Sequence, residues 1–190
     1  MASIIGIDLG SWAIKATVLQ GGFNRYDIDG QYIKKIETDG EEPPTIEDRI
    51  ATLSELLSEV YSEESAQYGA TFPIDHASMR LVNMPFTDKN QIAQTLAFEV
   101  EGLVPYDLSD MVLTHRVVST NLEGSAVLAS LTPTDRLGVH LSHLGEAGAD
   151  PKSCVVDGDL LSVYSNSLTT AILDIGHTRT IVTVAKDGQT

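Results

Sequence analysis

Ile7-Asp8-Leu9-Gly10-Ser11-Trp12-Ala13-Ile14-Lys15 is the stretch that decides the fold. An apolar run from Ser3 ends at Asp8, Gly10 follows, and a second apolar run starts at Ala13. A short apolar run bounded by a glycine turn reads as a buried strand. Strands are therefore predicted over Ser3 to Asp8 and Ala13 to Gln20, joined as a hairpin around Gly10. The same device returns as Leu173-Asp174-Ile175-Gly176-His177-Thr178, with strands predicted over Thr170 to Asp174 and Thr180 to Lys186. Each copy has an apolar strand, Asp-aliphatic-Gly, a hydroxyl residue and a second apolar strand. Glycine in such a turn lets backbone N–H groups approach a phosphate closely, and hydroxyls add donors. An aspartate at the strand end can hold Mg²⁺ directly or through its waters. Lys15, on the second strand, stands in reach of a terminal phosphate. The candidate phosphate contacts are Asp8, Gly10, Ser11, Lys15, Asp174, Gly176, His177 and Thr178, with Asp8 and Asp174 as the metal candidates.

Outward from the first hairpin, Gly21-Gly22 makes the next turn and Phe23 to Glu37 reads as a third strand of an antiparallel meander. After Pro43-Pro44, Thr45 and Asp48 form a capping-box pattern. The helix they start carries an apolar stripe of Ile46, Ile50, Leu53, Leu57 and Val60, with Glu47, Glu55 and Glu59 opposite. Gly69 to Phe72 is a predicted strand stopped by Pro73. From Ile74 a second unit begins: a strand over Ser78 to Met84, a helix from Lys89 to Leu103, and a hairpin of Met111 to Ser119 with Ser125 to Leu131. A helix to about Gly145 follows, with Thr132 as its expected N-cap and Pro133 in its first turn. Ser153 to Val156 returns to strand, and Asp159 to Ser165 reads as a short helix. The fold class is α/β, with residues 1–73 and 153–190 as one core subdomain and 74–152 as an inserted α+β subdomain. Asp187-Gly188 is a strong hairpin signal with almost no partner strand after it, which reads as a partial chain.

Composition narrows the function classes. Twelve Lys and Arg against 27 Asp and Glu leave a net charge of −15 over 190 residues. Nucleic-acid binding needs a basic stripe that releases phosphate counterions, so this balance argues against it, and equally against an anionic membrane surface as first partner. A hydrophobic share of 42% is enough to fill a core. Cys154, the single cysteine, excludes an internal disulfide framework and makes a reducing, cytoplasmic setting the expectation. No apolar run approaches the ~18 residues of a membrane span. His140 and His143 sit at i, i+3, which alone does not make a zinc site.

The paired hairpins resemble the two phosphate loops of the actin, sugar-kinase and heat-shock-chaperone ATPase superfamily. Asp8-Leu9-Gly10-Ser11-Trp12-Ala13-Ile14-Lys15 keeps the Asp-x-Gly-Ser-x-x-x-Lys spacing of actin's first loop. The insertion narrows this further. Met84-Pro85 and Phe98-Glu99-Val100-Glu101-Gly102-Leu103-Val104-Pro105-Tyr106-Asp107-Leu108 resemble the pilus assembly protein PilM family, as do Ala147-Gly148-Ala149-Asp150-Pro151 and the run to Asp157. The cytoplasmic part of the type II secretion protein GspL shares this architecture, and the second loop is closer to the pilus family. The resemblance spans about Ile4 to Val184. It implies an actin-like (RNase H-like) core with an inserted subdomain, as the first lobe of a larger fold. It also implies ATP and Mg²⁺ as cofactors and a place beside the inner membrane through partners. Those partners would be the N-terminal peptide of a PilN-like membrane protein, bound between core and inserted subdomains, and a PilB- or GspE-like ATPase. Asp157 lies where actin-like proteins place a residue near the attacking water. Trp12 and His177 stand where relatives carry small residues, which puts hydrolysis in doubt more than binding. The competing expectations are a kinase or ATPase of the superfamily, using Asp157 or Asp159, and an FtsA-like cell-division filament protein.

Overall fold

The computed structural model describes residues 3–22, 25–38, 42–60, 66–166 and 168–190. β1 (Ser3–Leu9) and β2 (Ala13–Gly22) pair antiparallel around Gly10, with Asp8 opposite Lys15 and Leu9 opposite Ile14. β3 (Arg25–Lys35) pairs with β2 and completes the expected meander; Phe23, its expected first residue, lies outside the described residues. Period-two alternation sends Ile5, Ile7, Ile14, Ala16 and Val18 into the core, each at most 2% exposed. The same alternation turns Asp8, Lys15 and Thr17 to the other face.

α1 (Ile46–Glu59) starts at the capping box read from the sequence. The Thr45 N–H donates to Asp48 Oδ2 at 2.8 Å, and the Asp48 N–H returns to Thr45 Oγ1 at 3.2 Å. The N–H of Thr45 holds the Asp48 carboxyl below its ordinary value. The buried stripe is rotated from the expected one: Thr52, Leu53, Leu56 and Val60 are buried, while Ile46 is 49% exposed. Ile46 is the first residue of the helix. Glu55 and Glu59 on the outer side take Lys34 of β3 at 3.2 and 2.5 Å. β4 (Gln67–Phe72) then lies parallel to β1, with α1 as the crossover.

The inserted unit holds β5 (Ser78–Met84), α2 (Lys89–Glu101), β6 (Met111–Asn121) and β7 (Gly124–Pro133), with an antiparallel sheet of order β5-β7-β6. Asp88 caps α2 by accepting from the N–H groups of Asn90 and Gln91, both at 3.0 Å. Ile92, Leu96 and Val100, one residue per turn, bury one face of α2 in a cluster with Val82, Met84, Val127, Ala129 and Leu131. Fully burying side chains of this kind stabilises by roughly 1.5–3 kcal/mol each.

Thr132, expected as the N-cap of the next helix, is a buried β7 residue paired with Val112, and no side chain caps α3 (Thr134–Glu146). Strand pairing satisfies the Thr132 backbone before a helix can claim it. α3 contributes Leu144 to the core of the first sheet, together with Ala147 and Ala149, so the inserted sheet's own cluster is confined to the stretch before it. β8 (Pro151–Val156) lies parallel to β4 and completes a five-stranded sheet of order β3-β2-β1-β4-β8. The short helix expected from Asp159 starts earlier, as α4 (Asp157–Leu160), and tightens into a 3-10 turn over Leu161–Tyr164. β9 (Thr170–Ile175) and β10 (Thr180–Ala185) form a separate two-stranded sheet around the second glycine. Asp187 and Gly188, with φ of 54° and 73°, turn the chain so that Lys186 bridges Gln189. Both central residues in the left-handed region is the geometry expected of an Asp-Gly hairpin turn.

Candidate functional site

The ends of β1 and β4, the helical segment that starts at α4 and the second hairpin surround a cavity of about 880 Å³. All eight residues singled out from the two hairpins line it: Asp8, Gly10, Ser11, Lys15, Asp174, Gly176, His177 and Thr178. The two hairpins, 167 residues apart in sequence, touch where Thr178 Oγ1 donates to Ser11 Oγ at 2.9 Å. The glycines are required by space. A Cβ on Gly10 would stand 2.4 Å from the Ala13 carbonyl oxygen, and one on Gly176 would stand 2.9 Å from that of Arg179.

Strand pairing fixes the carboxylate of the first hairpin. Lys15 Nζ donates to Asp8 Oδ2 at 3.0 Å, and Thr71 Oγ1 of β4 donates to Asp8 Oδ1 at 3.2 Å. The Lys15 and Asp8 side chains are 56% and 41% exposed, so this pair is worth about 0–1 kcal/mol and either group can leave it. Among the described residues, no three His, Cys, Asp or Glu side chains converge as a metal site. A Mg²⁺ ion at Asp8 and Asp174 would need phosphate and water for its other ligands. Three cations, Lys15, Arg49 and Arg179, line the cavity against the carboxylates of Asp8, Asp75, Asp157 and Asp174, and the buried Nε of Arg49 has no hydrogen-bond partner among the described residues. An orphaned N–H of a permanently charged group seeks an acceptor. Trp12 lines the same space, 46% exposed, with Lys35 Nζ 5.6 Å from its ring centre; it does not enter the core.

Two residues that the sequence did not single out, Arg179 and Asp75, join Asp157 in one network. Asp157, at the start of α4, accepts from the N–H groups of Ile74 at 3.0 Å and Gly158 at 2.7 Å through Oδ1. Its Oδ2 takes Arg179 Nη2. Arg179 Nη1 meets Asp75 Oδ1 at 2.5 Å. One guanidinium therefore joins the second hairpin to the turn after β4 and to the start of α4. Burial raises the Asp157 carboxyl above its ordinary range, against the pull of Arg179. Arg179 follows Gly176-His177-Thr178 directly, and its place beside the glycine was the available signal. Asp159, the other candidate acid, is outside this cavity. It is held by Arg116 Nε at 3.0 Å and Nη2 at 2.7 Å and by Thr190 Oγ1, and these bonds outweigh burial and lower its carboxyl.

A smaller cavity of about 270 Å³ lies between β8 and the inserted sheet, where β6 and β7 both line it. β6 and β8 are each an outer strand of their sheet. Val112, Leu128, Phe72 and Val156 supply apolar lining, and Arg116 and Asp159 close one side. Cys154 lines it too; burial pushes its thiol up to about 11, which leaves it a packing group.

The chain matches no protein-family profile and no curated protein by sequence. Its structure is similar to a chain of the solved PilM-PilN type IV pilus biogenesis complex, with a TM-score of 0.77 and 16% identity over 98% of this chain and 59% of that one. It is also similar to the cytoplasmic domain of EpsL, an inner-membrane component of the type II secretion system of Vibrio cholerae. There the TM-score is 0.58 and the identity 14%, over 96% of this chain and 71% of that one. The chain thus spans 59% of the length of the first. The fold is the actin-like one, an α/β core with an inserted α+β unit.

Proposed function

We propose that this chain is an actin-like scaffold of a type IV pilus or type II secretion assembly platform. On this reading it works at the cytoplasmic face of the inner membrane and takes the N-terminal peptide of a membrane partner into the groove between β6 and β8. The observation that carries the proposal is that groove: about 270 Å³, apolar-lined and bordered by two outer strands. Outer strands present unpaired backbone donors and acceptors, and an extended peptide that adds to one gains main-chain hydrogen bonds and side-chain pockets together. The solved complex of the same fold joins PilM with PilN, which supports a membrane-protein partner here. Contact with a PilB- or GspE-like ATPase belongs to the same reading. Among the described residues, no helix is long and apolar enough to cross a membrane; attachment through partners is part of the same proposal.

ATP with Mg²⁺ is the proposed organiser of the larger cavity. The backbone at Gly10 and Gly176, the hydroxyls of Ser11 and Thr178, His177 and Lys15 would hold the phosphates, and Asp8 and Asp174 would face the metal. Bound nucleotide would supply a polyanion that draws the two hairpins together. The enzyme reading needs a free carboxylate in the cleft to position water. Asp157 has both oxygens engaged and Asp159 lies elsewhere, which favours binding over turnover. The test is a titration with Mg-ATP, then with the N-terminal peptide of the membrane protein encoded beside this chain. Peptide affinity that Val112→Glu abolishes, without phosphate release, is expected. ATP-dependent phosphorylation of a small molecule would refute the scaffold.

A further inference from the structure

We propose that Arg179 is the cleft's phosphate-recognising cation, and that phosphate binding exchanges its Asp75 partner for a phosphate oxygen while Asp157 keeps its own bond. This rests on the reading of the larger cavity as a nucleotide site and names the residue that senses the ligand.

The geometry argues for Arg179 over Lys15. Guanidinium donors are planar and fixed, and match a phosphate by paired hydrogen bonds, whereas an ammonium acts as a point charge. Arg179 lines the same cavity as both glycines and both hydroxyls. Its own carbonyl accepts the Gly176 N–H at 2.9 Å, so it closes the turn that would cradle the phosphate and moves with it.

Its two present partners are unequal. The Asp157 side chain is 16% exposed and is fixed by two backbone donors, whereas that of Asp75 is 56% exposed. Solvent screens the Asp75 contact, so it is the cheaper bond to give up. A phosphate entering the cavity meets Nη1 held by the weaker of two competitors, and Asp75 is a like charge that repels it. Transfer of Nη1 breaks the direct contact, across 104 residues of sequence, between the second hairpin and the turn over Ile74–His76 and leaves Asp157 as the remaining bridge, so ligand binding at the hairpins is felt at the junction with the inserted unit.

The experiment is calorimetric titration of the chain with inorganic tripolyphosphate, free of Mg²⁺, and then with Mg-ATP. For Arg179→Gln the affinity should fall about tenfold or more, the size of one lost charge-assisted bond. Asp75→Asn should bind severalfold more tightly than wild type, because both competitor and repulsion are gone. As a second readout, tripolyphosphate should speed hydrogen exchange at the amides of His76 and Ala77 in wild type, and leave it unchanged in Asp75→Asn. If wild type binds neither probe, the nucleotide reading fails and this proposal with it. If wild type binds and Arg179→Gln binds equally well, or Asp75→Asn binds no more tightly, the nucleotide reading stands and the role of Arg179 is overturned. Should Arg179→Gln fail to fold, the exposed Asp75→Asn substitution decides the matter alone.

Discussion

The first glycine hairpin is built into a sheet and the second hangs beside one. β1 and β2 sit in the middle of five strands, and their inward residues are buried almost completely. Among the described residues β9 and β10 pair only with each other, and Leu173, Ile175, Val182 and Val184 on their outer face are 57–73% exposed. The inner face of β10 is anchored by Ile181 and Ala185 and by Thr183 Oγ1, which donates to the Gly158 carbonyl at 2.8 Å. A two-stranded ribbon is marginal by itself. The same Asp-x-Gly hairpin is thus mounted once on a rigid floor and once on an element held by a few side-chain contacts, Arg179 among them. A ligand between them would be recognised by the first hairpin and would move the second.

The largest expected break of this comparison is in the cores. Ile14, 0% exposed in β2, should cost about 2–5 kcal/mol when cut to alanine, whereas Val182→Ala on the open face of β10 should stay within about 0.5 kcal/mol. Urea unfolding measures both, and equal costs would mean that the second hairpin is as deeply built in as the first. Next in size are the glycines. Gly10→Ala drives a Cβ against the Ala13 carbonyl in a sheet that resists movement, and should cost on the order of 1–3 kcal/mol. Gly176→Ala meets a wider gap on a ribbon that can yield, and should cost less. A reversed order in thermal unfolding would contradict the rigid-floor picture.

The smallest expected effect is of pH. His140 Nε2 donates to the Thr71 carbonyl at 2.8 Å, and its ring meets Phe72 edge-on at 5.2 Å. Burial lowers its pKa below the ordinary 6.5, against the pull of the Thr71 carbonyl, and nearby His143 and His76 lower it further. The unfolded chain therefore takes up this proton first as pH falls. The stability that neutral His140 contributes is complete above 6.5 and is lost as pH drops from there toward the lower folded value. Because His140 grips β4, acid should loosen the sheet carrying the first hairpin, and His140→Gln should flatten the dependence of the urea midpoint on pH. An unchanged slope would remove His140 from that sheet's support.

What the sequence disclosed was local. The Asp-x-Gly hairpins, the Thr45–Asp48 box and the strand over Ser78–Met84 each depend on neighbours a few residues apart, and propensity, capping and alternation encode such neighbours directly. The convergence of the two hairpins on one cavity followed from their resemblance to each other, not from any periodicity. The failures were contests between a local signal and a distant one. Thr132 carries an N-cap side chain but was taken by pairing with Val112, and Ile46 fits the helical stripe but stands half exposed at the helix start. The contact between Arg179 and Asp75 spans 104 residues, and a single charged residue beside a glycine says nothing about which carboxylate will meet it.

The insertion also sets the order in which the chain can assemble. β4 ends at Phe72 and its parallel neighbour β8 begins at Pro151, so the five-stranded sheet cannot close until the whole inserted unit has been traversed. That unit contains the short-range β6–β7 hairpin and its own buried cluster, and local contacts form faster than those that close long loops. Pulse-labelled amides of Val127 to Leu131 should gain protection before those of Thr71 and Phe72. The groove between β6 and β8 can form only once both sheets are in place, and a peptide bound there would act late, as a stitch between them.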